Sequence, residues 1–369
     1  MPNPSSAVSA ARRPGCGANL ALFGFSILAS LVFLELALRF LEKRAGAGAP
    51  AADSAVAAAT YDLTPIYVPS PTLGWTLRPD SLQRFRRRDF DTAVRSNALG
   101  FRGPEIGPRP PGIERWVVLG DSYGFGWGVE EDSTYAARLA VRLNAAAGES
   151  AGGRYEVVNA ALPGFGTFQR LRALETVLPY GLDGAVIEFS VSNDVVDDWR
   201  AAPYVPDHLG DYQTRGTQFT AFERWATRHS LLARAVWERA MPLRLWMEAR
   251  RGVNLRRTSA LYDTLVARAR GAGLEVVILT NASRTQVLGD EGGVMGWLAD
   301  SSYGRRPNRM IAAAIARNHV PAVDGEAAFR GATAHELFLG RDVHWTPAGH
   351  ERVAQALAPL VRGRKPPNR

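Results

Sequence analysis

From Trp116 onward, short apolar runs alternate with stretches of helical periodicity, and this alternation constrains the fold more than any other feature of the chain. The runs are WVVLG (116–120), YEVVNA (155–160), GAVIEFS (184–190), LEVVILT (274–280) and VPAVD (320–324). Apolar runs of about four to eight residues bounded by turn formers read as strands covered on both faces, which is the condition of a parallel sheet. Between them lie TYAARLAVRLNAAA, FQRLRALETVLPY, TSALYDTLVARARGAG and NRMIAAAIARN, each ending near Gly, Asn or a turn. Thr346-Pro347 then supplies an N-cap and a first-turn proline for a last helix reaching about Val361. The pattern predicts an α/β protein: a three-layer α/β/α, flavodoxin-like sandwich with a five-stranded parallel sheet.

One interval does not fit a simple crossover. Residues 195–253 carry many Trp, Tyr and Arg without a strand, and are expected to form a mostly helical insertion. Ahead of the sheet, residues 61–113 are rich in Pro, Gly and Arg and are expected to be a small irregular or β-rich lead-in packed on the main domain of 114–363.

The amino-terminal region obeys different chemistry. After a short tail (1–17), no charge interrupts Gly17 to Leu34, and apolar character resumes after Glu35 to Leu41. At roughly 1.5 Å per residue, residues 18–41 reach about 36 Å, enough to cross a bilayer core with some tilt. Glu35 and Arg39 stand i, i+4 apart and can pair on one helix face, which lowers the cost of charge near the interface. The run is long for a signal peptide, and Glu35 to Arg44 is not a small-residue cleavage site, so a single-pass transmembrane anchor is expected. Residues 42–60, rich in Ala and Gly, read as a flexible linker. Arg12 and Arg13 on one side compete with Arg39, Lys43 and Arg44 on the other, so charge does not set the orientation.

The 46% hydrophobic content suffices for a sizeable core. A net charge of +8 comes without a long basic block interleaved with aromatics, so no nucleic-acid partner is indicated; the longest basic run, Arg86-Arg87-Arg88, reads as a solvated face. Cys16 is the single cysteine, which excludes an internal disulfide and a multi-cysteine metal site.

The first strand runs directly into Gly120-Asp121-Ser122-Tyr123-Gly124, which puts Ser122 at the carboxyl end of a parallel strand, the edge where such sheets bind ligands. A serine hydroxyl needs a base, an orienting group and donors for an oxyanion. Asp342-Val343-His344 precedes the last helix, and residues two apart in an extended loop point to the same side, so Asp342 can hold the imidazole that takes the proton from Ser122. Gly164, after the second strand, lets a backbone N–H approach a substrate closely, and Asn193, after the third, can donate its amide.

These four blocks, in this order, resemble the SGNH hydrolases, also called the GDSL family, over residues 114–363. The resemblance implies a Ser-His-Asp triad of Ser122, His344 and Asp342, an oxyanion hole from the Ser122 and Gly164 N–H groups and the Asn193 amide, ester substrates, and neither metal nor cofactor. The family usually has Asp-x-x-His where this chain has Asp342-x-His344, with Arg341 one position earlier. Some SGNH-like enzymes acting on polysaccharide acetyl groups resemble the Asp-x-His-Trp arrangement.

Gly120 to Gly124 also fits the Gly-x-Ser-x-Gly elbow of α/β-hydrolases, but that fold places several strands before the elbow and separates its acid from its histidine. Glycines 124, 126 and 128 lack the spacing of a dinucleotide loop. His350 reads as structural, His208, His229, His319 and His335 have no partners at recognisable spacing, and Asn97 and Arg102 read as turn residues in preference to substrate contacts. The expected protein is a membrane-anchored serine esterase whose soluble domain is periplasmic or extracellular, and whose partner is an acyl ester, an acylated glycan or lipid among the candidates. The alternative is an O-acyltransferase or deacetylase acting on a cell-envelope polysaccharide. A non-catalytic carbohydrate-binding domain is a third reading.

Overall fold

The computed structural model describes residues 16–48, 67–87, 89–147, 155–191, 194–200, 225–226, 229–233, 235–236, 253–282, 284–288, 305–340 and 343–362. Two antiparallel hairpins come first, β1 (Tyr67–Ser70) with β2 (Gly74–Leu77) and β3 (Leu82–Arg86) with β4 (Asp91–Arg95). The main sheet follows as β5 (Glu114–Leu119), β6 (Tyr155–Asn159), β7 (Gly184–Ser190), β8 (Glu275–Asn281) and β9 (Ala322–Asp324). All pairs in it are parallel, and the spatial order is β6-β5-β7-β8-β9. The helices are α1 (Cys16–Gly48), α2 (Ser122–Phe125), α3 (Tyr135–Ala147), α4 (Thr167–Val177), α5 (Asp194–Arg200), α6 (Val253–Gly271), α7 (Arg284–Leu288), α8 (Arg306–Asn318), α9 (Gly325–Ala328), α10 (Ala334–Leu337) and α11 (Pro347–Arg362).

Every residue of β7 is buried, as the apolar run requires of a central strand covered on both faces. Helices α3 and α11 pack on each other, while α6 packs on α4, α5 and α8, giving helices around the sheet. On α11 the buried residues Val353, Leu357 and Val361 recur at helical spacing, and burying each contributes about 1.5–3 kcal/mol. Leu357→Ala would leave a cavity costing roughly 2–5 kcal/mol.

The strand order makes the chain leave β5 toward β6 and then cross back to β7 on its other side. A crevice therefore opens between the carboxyl ends of β5 and β7, the place where such sheets receive ligands.

The lead-in hairpins are part of the same core. Trp75 is buried edge-on against Phe165, 5.0 Å between ring centroids, and Phe85 and Phe90 pack on Trp127 at 5.6 and 5.9 Å. Gly100, at φ +75°, lies so close that a Cβ would meet that of Thr76 at 2.6 Å. Helix α1 is apolar and exposed over Leu22–Leu41, a length and composition sufficient to cross a membrane, which anchors and signal sequences share. It continues past Leu41 to Gly48, into the alanine-containing stretch read from sequence as linker. Of the insertion expected at 195–253, the described residues beyond α5 include helical turns at 225–226, 231–233 and 235–236.

Candidate active site

Strand β5 ends at Leu119, and three residues later Ser122 opens the short helix α2. Asp121 caps that helix, its carboxylate accepting from the Tyr123 amide at 3.0 Å, and Gly126 ends it in the left-handed conformation at φ +79°, where a Cβ would strike Thr134. The turn is held from outside by Arg102. Its buried guanidinium donates to the carbonyls of Phe125, Gly126 and Val129 at 3.1, 2.7 and 2.7 Å, and lies 5.1 Å from the Phe125 ring centre. Burial lowers its pKa to about 10, still well above neutrality.

His344 meets Ser122 across this turn. The two are 222 positions apart in sequence, and His344 Nε2 lies 2.7 Å from Ser122 Oγ. Both side chains are half-buried. The imidazole is walled by Tyr123 and Trp127, with ring centroids 4.9 and 5.9 Å away. The Tyr123 hydroxyl donates to the Val343 carbonyl at 3.0 Å, and the Leu339 amide donates to the His344 carbonyl at 2.9 Å, so the loop before α11 is fixed on both sides of the imidazole. Trp345, fully buried against Tyr123, Phe329 and His350, anchors the loop's far end.

Two more strand ends face the same edge. After β6, Gly164 adopts φ +78°, a conformation that favours glycine, in a turn closed by the Phe165 amide donating to the Leu162 carbonyl at 3.1 Å. After β7, the loop that carries Asn193 is pinned at its flanks, because Asp194 accepts from the Ser190 amide at 3.0 Å and from the Arg170 guanidinium at 2.8 Å. Asn193 and Asp342 themselves lie outside the described residues. At the end of β8, Asn281 is buried with neither amide atom hydrogen-bonded among the described residues.

Beneath the Ser122 turn lies a buried polar layer that the sequence did not disclose. The Glu188 carboxyl, from the middle of the apolar strand β7, accepts from the Tyr135 hydroxyl at 2.7 Å and from the Asp121 amide at 3.4 Å. Burial first, and the neighbouring Asp121 carboxylate second, hold Glu188 protonated well above the usual carboxylate range. Arg170, fully buried, joins Asp194, the Glu188 carbonyl and the Tyr262 hydroxyl. A buried Arg–carboxylate pair contributes little net stability but is costly to break on one side. The available sign was a lone carboxylate in a run otherwise fit for a core strand, and a lone arginine on the inward face of α4.

Of the remaining candidates, His208 lies outside the described residues, while Asn97, His350 and His229 take structural positions. Asn97 closes its own turn, accepting from the Leu99 and Phe101 amides, both at 3.1 Å. His350 accepts the Tyr135 amide at 3.2 Å, and burial foremost, then Arg102 and His344, pushes its pKa down to about 3. His229 sits by α1, away from Ser122 in its contacts. In the basic run, Arg86 pairs with Asp91 and Arg87 lies over the Trp127 ring at 5.9 Å. No group of three or more His, Cys, Asp or Glu among the described residues could hold a metal ion.

A parallel α/β sheet with a serine and an imidazole in contact at its carboxyl edge has the layout of a serine hydrolase, and the family match that follows makes its substrates esters. Residues 118–352 match the GDSL-like Lipase/Acylhydrolase family, and the chain belongs to it. No curated protein matches the chain. Similar solved structures include TesA, 16% identical with a TM-score of 0.42, covering 68% of this chain and 99% of that one. They include the acetylxylan esterase Axe2 from Geobacillus stearothermophilus, 18% identical with a TM-score of 0.37, covering 70% of this chain and 96% of that one. A member of the lipolytic protein G-D-S-L family from Veillonella parvula DSM 2008 is 14% identical with a TM-score of 0.39, covering 69% of this chain and all of its own. Membership rests on the sequence match over 118–352, not on these distant likenesses.

Proposed function

We propose that the protein is a membrane-anchored serine esterase that cleaves O-acyl esters through an acyl-enzyme, with Ser122, His344 and Asp342 as its triad. The observation that carries this reading is the 2.7 Å contact between His344 Nε2 and Ser122 Oγ. As Ser122 Oγ attacks the ester carbonyl, His344 takes its proton; the carbonyl oxygen gains charge, met by the Ser122 and Gly164 amides and the Asn193 side chain. Collapse expels the alcohol, which receives the proton from His344 and leaves the acyl group on Ser122. Water, deprotonated by His344, then releases the acid and restores the serine. Asp342 orients the imidazole, an assignment supported by its place two residues before His344. A sugar hydroxyl in place of water would make the same site an acyltransferase. Helix α1 holds the domain at the membrane, and the domain faces the periplasm or exterior, where an acylated envelope glycan or lipid would be met.

Full-length protein in detergent should form a fluorophosphonate adduct that Ser122→Ala abolishes. An adduct independent of Ser122, or none, overturns the proposal. Following a labelled acyl group with and without an oligosaccharide acceptor separates hydrolysis from transfer, and protease accessibility in sealed vesicles reports which side the domain faces.

A further inference from the structure

Glu35 is a carboxylate inside the apolar span Leu22–Leu41, and its surroundings explain why it is tolerated. It is only 18% exposed on a helix that is otherwise largely bare. Beyond the Arg39 guanidinium at 2.7 Å, it accepts from the Ser230 hydroxyl at 2.8 Å and from the amides of Leu231 and Leu232 at 3.1 and 2.8 Å. These are donors at the start of a helical turn, where a carboxylate is favoured. Arg39 completes the junction by donating to the His229 carbonyl at 2.7 Å. The pair thus staples residues 229–232, between α5 and α6, to the amino-terminal helix.

The staple also fixes a depth. Glu35 precedes the end of the apolar span by six residues, so at 1.5 Å per residue it lies roughly 9 Å inside that end. A helix lying in a membrane interface sits about 5–10 Å into the boundary between headgroups and acyl chains. Around the staple, Trp225 and Val236 present apolar surface, 59% and 58% exposed, and Trp225 is stacked on His229. The sequence 225–236, WATRHSLLARAV, contains two arginines and no acidic residue. That mixture of apolar and basic residues suits an anionic headgroup layer.

We infer that the stretch from Trp225 to Val236 is a membrane-surface element, held at the bilayer interface by Glu35 and Arg39, with anionic lipid headgroups as its partner. The inference rests on the reading of α1 as a membrane span. The polar pair in α1 is then a docking device for this stretch, and the stretch is in contact with lipid.

The test uses full-length protein in vesicles of phosphatidylcholine and phosphatidylglycerol. Cys16 is first replaced by serine, and a fluorophore is placed through Trp225→Cys, Leu31→Cys or Val141→Cys, the last an exposed position on α3. Lipids spin-labelled near the headgroup should quench the probe at 225, lipids labelled deep in the chain should quench that at 31, and neither should quench that at 141. Adding Glu35→Leu should cut quenching at 225 by more than half and leave position 31 unchanged, with Glu35→Gln giving an intermediate loss. Melting curves check that each variant is folded. Quenching at 31 with none at 225, or quenching at 225 that ignores Glu35, overturns this inference and leaves the anchor standing. No quenching at 31 removes the anchor and the inference together.

Discussion

Glu188 lies directly beneath Gly120: a Cβ at Gly120 would stand 2.8 Å from Glu188 Oε2, and one at Gly124 would stand 2.9 Å from the same atom. The turn carrying Ser122 can settle onto the sheet only because both positions lack a side chain. Gly120→Ala should therefore cost about 1–3 kcal/mol through overpacking. Combining it with Glu188→Asp, whose carboxyl is one methylene shorter, should recover part of the loss in urea unfolding.

Glu188 also sets a pH dependence with a definite sign. The unfolded chain ionises this group above about 4.5, whereas the folded chain keeps the proton to a higher pH. Its contribution to stability is thus complete below that value and lost as pH rises through the raised one. Glu188→Gln has no proton to lose, so its stability should decline less than the parent's between about pH 5 and 9. Equal declines in parallel urea titrations would show that the carboxyl is ionised in the fold.

His350 acts in the opposite direction. Held neutral down to about 3 against an ordinary value of 6.5, it favours the folded chain above 6.5 and costs stability as pH falls toward 3, because the unfolded chain takes up the proton first. His350→Gln should flatten the acid side of the stability profile, whatever its effect on the absolute value.

Tyr123 links the two halves of the site through its hydroxyl on the Val343 carbonyl. Tyr123→Phe removes one hydrogen bond, about 0.5–1.5 kcal/mol of stability. The expected kinetic effect is a fall in kcat of a few-fold with KM little changed, since the imidazole loosens while the crevice keeps its shape. A change confined to KM would place Tyr123 with substrate instead.

On the proposed mechanism, in which base and nucleophile act as a unit, His344→Ala should reduce kcat/KM by on the order of 10³-fold or more with the melting profile retained. Steady-state kinetics on a short-chain ester and a thermal melt check both halves of that statement.

The sheet was legible because its strands are buried on both faces and so need apolar runs; GAVIEFS is β7 residue for residue. The meeting of Ser122 with His344 was legible as well, since turns at strand ends leave polar residues at fixed places. The lead-in hairpins were harder: Trp75 and Phe85 are buried against Phe165 and Trp127, partners a local pattern cannot name. Glu188 and Arg170 were silent for a related reason. A carboxylate or guanidinium becomes a core residue only through Tyr135, Tyr262 and Asp194, brought in from distant positions. The Glu35–Arg39 pair could be read from its spacing, whereas its attachment to Ser230 and His229 could not.

Ser122 and His344 stand at opposite ends of the domain's chain, joined across 222 positions. Synthesis therefore delivers the apolar helix before the serine, and the serine 222 residues before the imidazole. A nascent or truncated chain ending before His344 carries the serine without the imidazole that meets it. The contact can form only once the residues just ahead of α11 have been made and brought against α2.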